Sequence, residues 1–350
     1  MVISFRKVKK RTLICTLFFV AILGTLCFFS IQYCDMTDYA VYYREYNSLK
    51  NTGTAGLFHS FEPGYRLLEK LFIFLGANFS VFYGVIVTAI LLLLGRFIYK
   101  YTELKTEVLL LFCVFPFINC LQQIRSALGV AIILNATGYL LKEGRKSKLK
   151  YALVVIMTSS LQITNIIYLV FLLAVRIDFS KLKRIVFVCF FAFSVLFFVL
   201  YKFAYKLILG ISAFQRIQEN LVADKGFSYL AICNLIAYFL LFFYIHILTK
   251  GRLNKLKDND IKLLAVSITV CLISTFTVIA DSAYRLSAMQ LPLVYVSLLN
   301  ASGRPYRDKR FFLSAIVLAV FAIGIFLLYW GPTSPRMNYI LHNVMWKQHP

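Results

Sequence analysis

The chain has 350 residues, of which 60% are hydrophobic and 15% charged, and it carries a formal net charge of +23. A water-soluble domain holds roughly 25% charged residues. Here the charges sit in short clusters separated by apolar runs of about 18 to 24 residues, the length that spans a hydrocarbon core of roughly 30 Å. That pattern excludes a single soluble domain and makes the positive charge a topology signal rather than a nucleic-acid-binding surface. Seven of the eight cysteines (Cys15, Cys27, Cys113, Cys120, Cys189, Cys233 and Cys271) fall inside apolar runs, leaving only Cys34 outside. With no CxxC pair they read as small core residues, not as a disulfide framework or zinc site. His59, His246, His342 and His349 show no ligand spacing.

In chain order, Arg6, Lys7, Lys9, Lys10 and Arg11 precede a first apolar run over 13–31. The run lacks a small-x-small cleavage pattern, so it reads as a retained helix rather than a signal peptide. Further spans are expected at 79–99, 107–121, 126–141, 185–203, 228–248, 263–280, 286–301 and 311–330. The runs 151–161 and 163–175 are each too short to cross. They read as one long span or as a pair of half-helices meeting near Gln162. The expected fold is an all-α polytopic integral membrane protein with about 10–11 transmembrane segments. One membrane domain covers 1–350, with outer loops at 32–78 and 204–227.

Placing the N-terminus in the cytoplasm puts segments 1–12, 96–106, 142–150, 176–184, 249–262 and 303–310 inside. These hold 26 of the 38 Lys and Arg residues, as the positive-inside bias requires. Both clusters flanking 151–175 are basic, which favours a hairpin of half-helices over a full crossing there. The tail from Gly331 then faces out.

The first outer loop is rich in aromatics, Tyr42 and Tyr65 among them. After the turn at Pro63–Gly64, Leu67, Leu68, Leu71, Phe72 and Phe74 form an apolar face opposite Arg66, Glu69 and Lys70. This predicts a helix lying in the membrane interface, with Glu62 at headgroup level. Arg125 opens an apolar helix among Asn119, Gln122 and Gln123. It either snorkels to the headgroups or turns inward as an anion ligand, for which the planar guanidinium fork is suited. Asp281 and Arg285 stand four apart at the junction of two spans, a spacing that allows an ion pair or an arginine oriented toward a ligand. Glu62 and Asp38 compete as the general base, against the plain alternative of loop or helix-N-terminal charges. Gln162 lies in the polar break TSSLQITN, which either hydrogen-bonds between helices or lines a cavity.

The fragments TDYAVY, FEPGYRLLEKLF, QQIRSALGVAIILNATGYLLKEGRKSKLKYALVV and YRLSAMQLP, in this order, resemble the Wzy/EpsG-type bacterial polysaccharide polymerases over about 35–300. The resemblance implies a GT-C-like membrane glycosyltransferase of the bacterial inner membrane with its active site facing the periplasm. It would transfer a growing glycan from undecaprenyl pyrophosphate to a repeat unit on the same carrier, in O-antigen (lipopolysaccharide), capsule or exopolysaccharide synthesis. By motif, Asp38 and Tyr42 belong to the first fragment, Glu62, Pro63 and Gly64 to the second, Arg125 to the third, and Arg285 to the last, with Tyr284 beside it as a substrate-binding candidate. Gln162 stands where such proteins often carry a histidine, so the base here is expected to be a carboxylate. No DxD motif is present, and Arg66, Arg125 and Arg285 are expected to stabilise the pyrophosphate without a metal or other cofactor. A chain-length regulator and a flippase are implied partners, beside the bilayer itself. Two other readings stay open: a polyprenyl-linked glycosyltransferase or glycan ligase, and a lipid-linked sugar transporter. A transporter favours repeats and broken helices in both halves, whereas here one break is visible.

Overall fold

The computed structural model describes residues 19, 21, 24, 37–53, 61–208, 229–278, 283–303 and 306–330. The run 13–31 thus lies almost wholly outside the described residues, as do Asp281, most of the loop 204–227 and the tail from Gly331. Among the described residues there is no strand, and the helices follow one another as α1 (Thr37–Thr52), α2 (Pro63–Phe74), α3 (Phe79–Tyr101), α4 (Lys105–Val114), α5 (Phe117–Gln122), α6 (Ile124–Leu141) and α7 (Arg145–Ser159). A 3-10 segment over Ile163–Val170 leads into α8 (Phe171–Ala174), followed by α9 (Phe179–Ile208), α10 (Tyr229–Thr249), α11 (Asp258–Ile273), α12 (Tyr284–Ala288), α13 (Leu291–Ala301) and α14 (Lys309–Trp330).

Among the described residues, five stretches are long and apolar enough to cross a membrane: Phe79–Tyr101, Ile124–Leu141, Leu230–Thr249, Asp258–Thr277 and Lys309–Trp330. The protein is an all-α polytopic membrane protein. Helix α6 is buried on nearly every side, as expected of a helix at the centre of a bundle. It packs between α3 and α7. In contrast, α10 and α14 expose Ile236, Leu240, Ile316 and Val320, the belt of apolar side chains that a lipid environment permits.

Several expected spans are corrected. The run 107–121 is two helices, because Pro116 lacks the N–H that would continue α4 and disfavours a helical residue before it. The carbonyl of Phe115 freed by the break accepts the Tyr295 hydroxyl at 2.9 Å. The run 286–301 breaks at Met289–Gln290, just ahead of Pro292 in the first turn of α13. The first outer loop contains α1, hidden in the sequence because its apolar residues are mostly tyrosines with no strong face.

The half-helix pair is a hairpin. The chain turns at Ser160–Leu161, and the Tyr151 hydroxyl on α7 donates to the Tyr168 carbonyl at 3.2 Å. Gly129 on α6 makes this possible, since a Cβ there would strike the Asn165 side amide. The basic flanks of the hairpin share one end of the bundle, where Lys148 feels the charges of both Lys262 and Arg176. Lys100, Lys105, Arg252, Lys255 and Lys257 line a cavity at the same end. The polar break and the N-terminus of α6 lie at the other end, with α1 and α2.

Candidate active site at the α1–α2 end

The site is assembled by the start of α2. Pro63 takes the first helical position, where a missing N–H costs nothing. The Gly64 N–H donates to the Ser160 carbonyl at 2.9 Å. A side chain at residue 64 would collide with Ser160, so glycine is what lets α2 dock on the hairpin turn. Docking sets Glu62 beside the 3-10 segment, whose Ile163 N–H donates to Glu62 Oε1 at 3.2 Å. The other oxygen, Oε2, accepts Arg125 Nη1 at 2.5 Å.

Arg125 is the second residue of α6, and its side chain is only 19% exposed. It therefore turns inward and does not snorkel to the headgroups. Its guanidinium carbon lies 4.1 Å from the Phe61 ring centroid, with Tyr42 at 5.6 Å and Tyr65 at 5.8 Å. Such an aromatic collar attracts the cation through the negative ring faces. Burial pushes the Tyr42 phenol up from its ordinary range, against the opposing pull of Arg125, so the hydroxyl keeps its proton.

The second pair is looser. Asp38, in the first turn of α1, places Oδ2 3.8 Å from Arg285 Nη1 on α12. Arg285 is held in place through its neighbour, because the Tyr284 ring stacks on Tyr329 at 3.7 Å and its hydroxyl donates to Asn119 Oδ1 at 3.1 Å. Trp330 Nε1–H donates to the same oxygen. Both arginines, Asp38, Tyr42 and Gln162 face one cavity of about 250 Å³ between α1, α6, the hairpin and α12.

The EpsG family model matches residues 15–342. The chain belongs to the EpsG family. Membership points to a glycosyltransferase-like polysaccharide polymerase. No curated protein and no solved structure matches the chain.

In this EpsG-family protein the structure brings together Asp38, Tyr42, Arg125, Gln162 and Arg285 on the cavity wall, with Glu62 behind Arg125. Four other candidates sit elsewhere. Tyr65 is fully buried, packed against Tyr42 and Phe61. Gln122 is buried in α5 off the wall, and Tyr284 is committed to Asn119 and Tyr329. Arg66 is turned from the cavity by the 100° step from Tyr65 along α2 and lies near Glu69. Asp281 lies outside the described residues; among the described residues Arg285 meets Asp38.

Gln123, named beside Arg125, and Thr164, within the polar break, also line the cavity, as does Ser126, which sequence reasoning missed. Its signal was adjacency to Arg125. The apolar face of α2 expected in the interface is exposed at Leu67, Leu71 and Phe74, whereas Glu69, expected on the opposite polar face, is buried together with Tyr65. Glu69 is inaccessible and its carboxylate has no hydrogen-bond partner. Burial, reinforced by the nearby charge of Glu45 against the opposing Arg125 and Arg66, pushes its carboxyl up to about 8.

Proposed function

We propose that the protein polymerises lipid-linked repeat units, transferring the growing glycan from undecaprenyl pyrophosphate to an acceptor unit on the same carrier. The observation that carries this reading is the pair of arginines, each set against a carboxylate and both facing one small cavity. Asp38 is the general base. It lines the cavity and is held loosely, whereas Glu62 is engaged by Arg125 and the Ile163 N–H. The acceptor hydroxyl oxygen bonds to the anomeric carbon as the bond from that carbon to the diphosphate oxygen breaks. The hydroxyl proton passes to Asp38, and the electron pair of the broken bond leaves on undecaprenyl pyrophosphate.

The charge balance supports this order of events. Arg125 and Arg285 are matched by Asp38 and Glu62, so the four charges cancel while both carboxylates are ionised. A proton on Asp38 releases Arg285 as charge develops on the leaving diphosphate, which is when a preorganised cation contributes most. The guanidinium groups thereby take the role a divalent ion plays elsewhere.

Sidedness follows from the basic end, which lies opposite the site and reads as cytoplasmic. The ring of Phe19, early in the first apolar run, lies 6.4 Å from Tyr99 at that end, in keeping with a cytoplasmic N-terminus. The cavity then faces the outside of the cytoplasmic membrane, with the exposed Leu67, Leu71 and Phe74 of α2 in the interface. The reading needs a flippase to deliver units to that face and leaves chain length to a separate regulator.

The test is deletion followed by analysis of lipid-linked glycans. Single repeat units accumulate, and the ladder returns with the wild-type gene but not with Asp38→Asn. An unchanged ladder in the deletion strain removes the polymerase reading, and a lost single capped product replaces it with a ligase.

A further inference from the structure

We infer that the N-terminus of α6, with Gln123 and Ser126, is a second, uncharged anion-binding element that selects a diphosphate over a monophosphate. The inference rests on the proposed reading of the cavity and deepens it. Arg125 is engaged by Glu62 at 2.5 Å while Arg285 is held only loosely by Asp38 at 3.8 Å, so neutral donors on the Arg125 side add to the affinity for the diphosphate.

Those donors are present. Helix α6 has 18 residues, and Gln123 makes no side-chain cap to it. The Gln123 N–H donates back to Asn119 at 3.0 Å, and the first turn closes with the Ala127 N–H on the Gln123 carbonyl at 2.9 Å. Between them, the N–H groups of Ile124, Arg125 and Ser126 begin the helix with no intrahelical acceptor. The aligned peptide dipoles place roughly half a positive charge there, and a helix start of this kind holds phosphate.

A second observation is independent of the helix. Gln123 is 3% exposed and lines the cavity, and among the described residues its Nε2 has no hydrogen-bond partner. A buried amide without a partner is costly unless a ligand satisfies it. Ser126, in the first turn of α6, is buried and lines the same cavity. Arg285, on α12, lines the same cavity. One phosphate group on the α6 donors and a second on Arg285 engage both helices, whereas a monophosphate engages one of them.

The probe is inorganic pyrophosphate, titrated calorimetrically into the full-length protein in lipid nanodiscs, with inorganic phosphate as comparison. Wild type is expected to bind pyrophosphate at least tenfold more tightly than phosphate. Gln123→Leu and Ser126→Ala each weaken pyrophosphate binding by roughly tenfold, the scale of one hydrogen bond to a charged group. Gln123→Glu abolishes it, and all three variants keep the wild-type melting temperature. Equal affinity for the two anions overturns the inference, as does unchanged binding in the folded variants. So does a wild type that binds neither anion. These outcomes are separate from the polymerase reading, which fails only in the glycan profile.

Discussion

Helices α1 and α2 each carry two carboxylates seven residues, or two turns, apart: Asp38 and Glu45 on one, Glu62 and Glu69 on the other. The leading pair meets arginines, Glu62 with Arg125 at 2.5 Å and Asp38 with Arg285 at 3.8 Å. The trailing pair is buried, and neither Glu69 oxygen nor Glu45 Oε1 has a hydrogen-bond partner. The same residue type on the same helices therefore exists in two electrostatic settings. One is paired with arginines beside a cavity. The other is buried with its own kind nearby, and at Glu69 that burial, with the charge of Glu45, favours the protonated form. A carboxylate beside an arginine and a cavity can take up and release a proton during a reaction, whereas an inaccessible acid with a carboxyl raised to about 8 cannot reach a substrate.

The comparison breaks hardest at Arg125. Arg125→Ala leaves Glu62 without its cation, and removing one partner of a largely buried pair costs about 3–5 kcal/mol. Long-chain glycan is expected to disappear on gels. Adding Glu62→Gln should restore the melting temperature but not the glycan. A double variant that recovers both would make Arg125 a structural residue only.

A smaller effect is expected at Gly64. Gly64→Ala pushes α2 off Ser160 and shifts Glu62 relative to Arg125 without altering any charge. A displacement near 1 Å at a reacting centre is worth about a hundredfold in rate, so polymerisation assayed in membranes should fall on that scale while the protein still inserts. Wild-type activity in this variant would show that the docking of α2 does not set the site.

The smallest effect on polymer is expected at Glu69, and it depends on pH. Its folded-state carboxyl is raised above the ordinary carboxylate value of 4.5 to about 8. The stability it contributes is therefore fully present below pH 4.5 and is lost as pH rises through about 8. Amides of α1 and α2 should exchange hydrogen faster at pH 9 than at pH 6 in the wild type, and Glu69→Gln should flatten that difference. Identical pH dependence in the two proteins would count against a protonated Glu69.

Much of the site was legible from the sequence because arginines and carboxylates beside apolar runs lack the topological explanation that cytoplasmic lysines have. That logic found Arg125, Arg285, Asp38 and Glu62, and the polar break at Gln162. It failed for Tyr284, where an aromatic next to an arginine looked like a substrate contact but is an anchor for α12. For α2 it read the apolar face as the side that lies in the interface, and Leu67, Leu71 and Phe74 are exposed. It set Glu69 on the opposite, polar face, whereas the structure buries that carboxylate, because the burial of a single side chain depends on tertiary neighbours that no helical period encodes.

The sequence by itself determined the class of fold, the apolar segments and the clustering of basic residues toward one end, because hydropathy and charge act locally along the chain. The break at Pro116 came only with the structure, since the apolar run 107–121 reads as one span. Tertiary structure decided the pairings. Glu62 meets Arg125 across 63 residues, and Asp38 meets Arg285 because the stacked Tyr284 and Tyr329 fix α12 beside the start of α1. Such contacts depend on how helices pack, and no local pattern encodes them. The positive charge first read as a topology signal thus divides in two: lysines and arginines gathered at one end, and two arginines at the other, whose neutralisation by Asp38 and Glu62 only the folded chain could reveal.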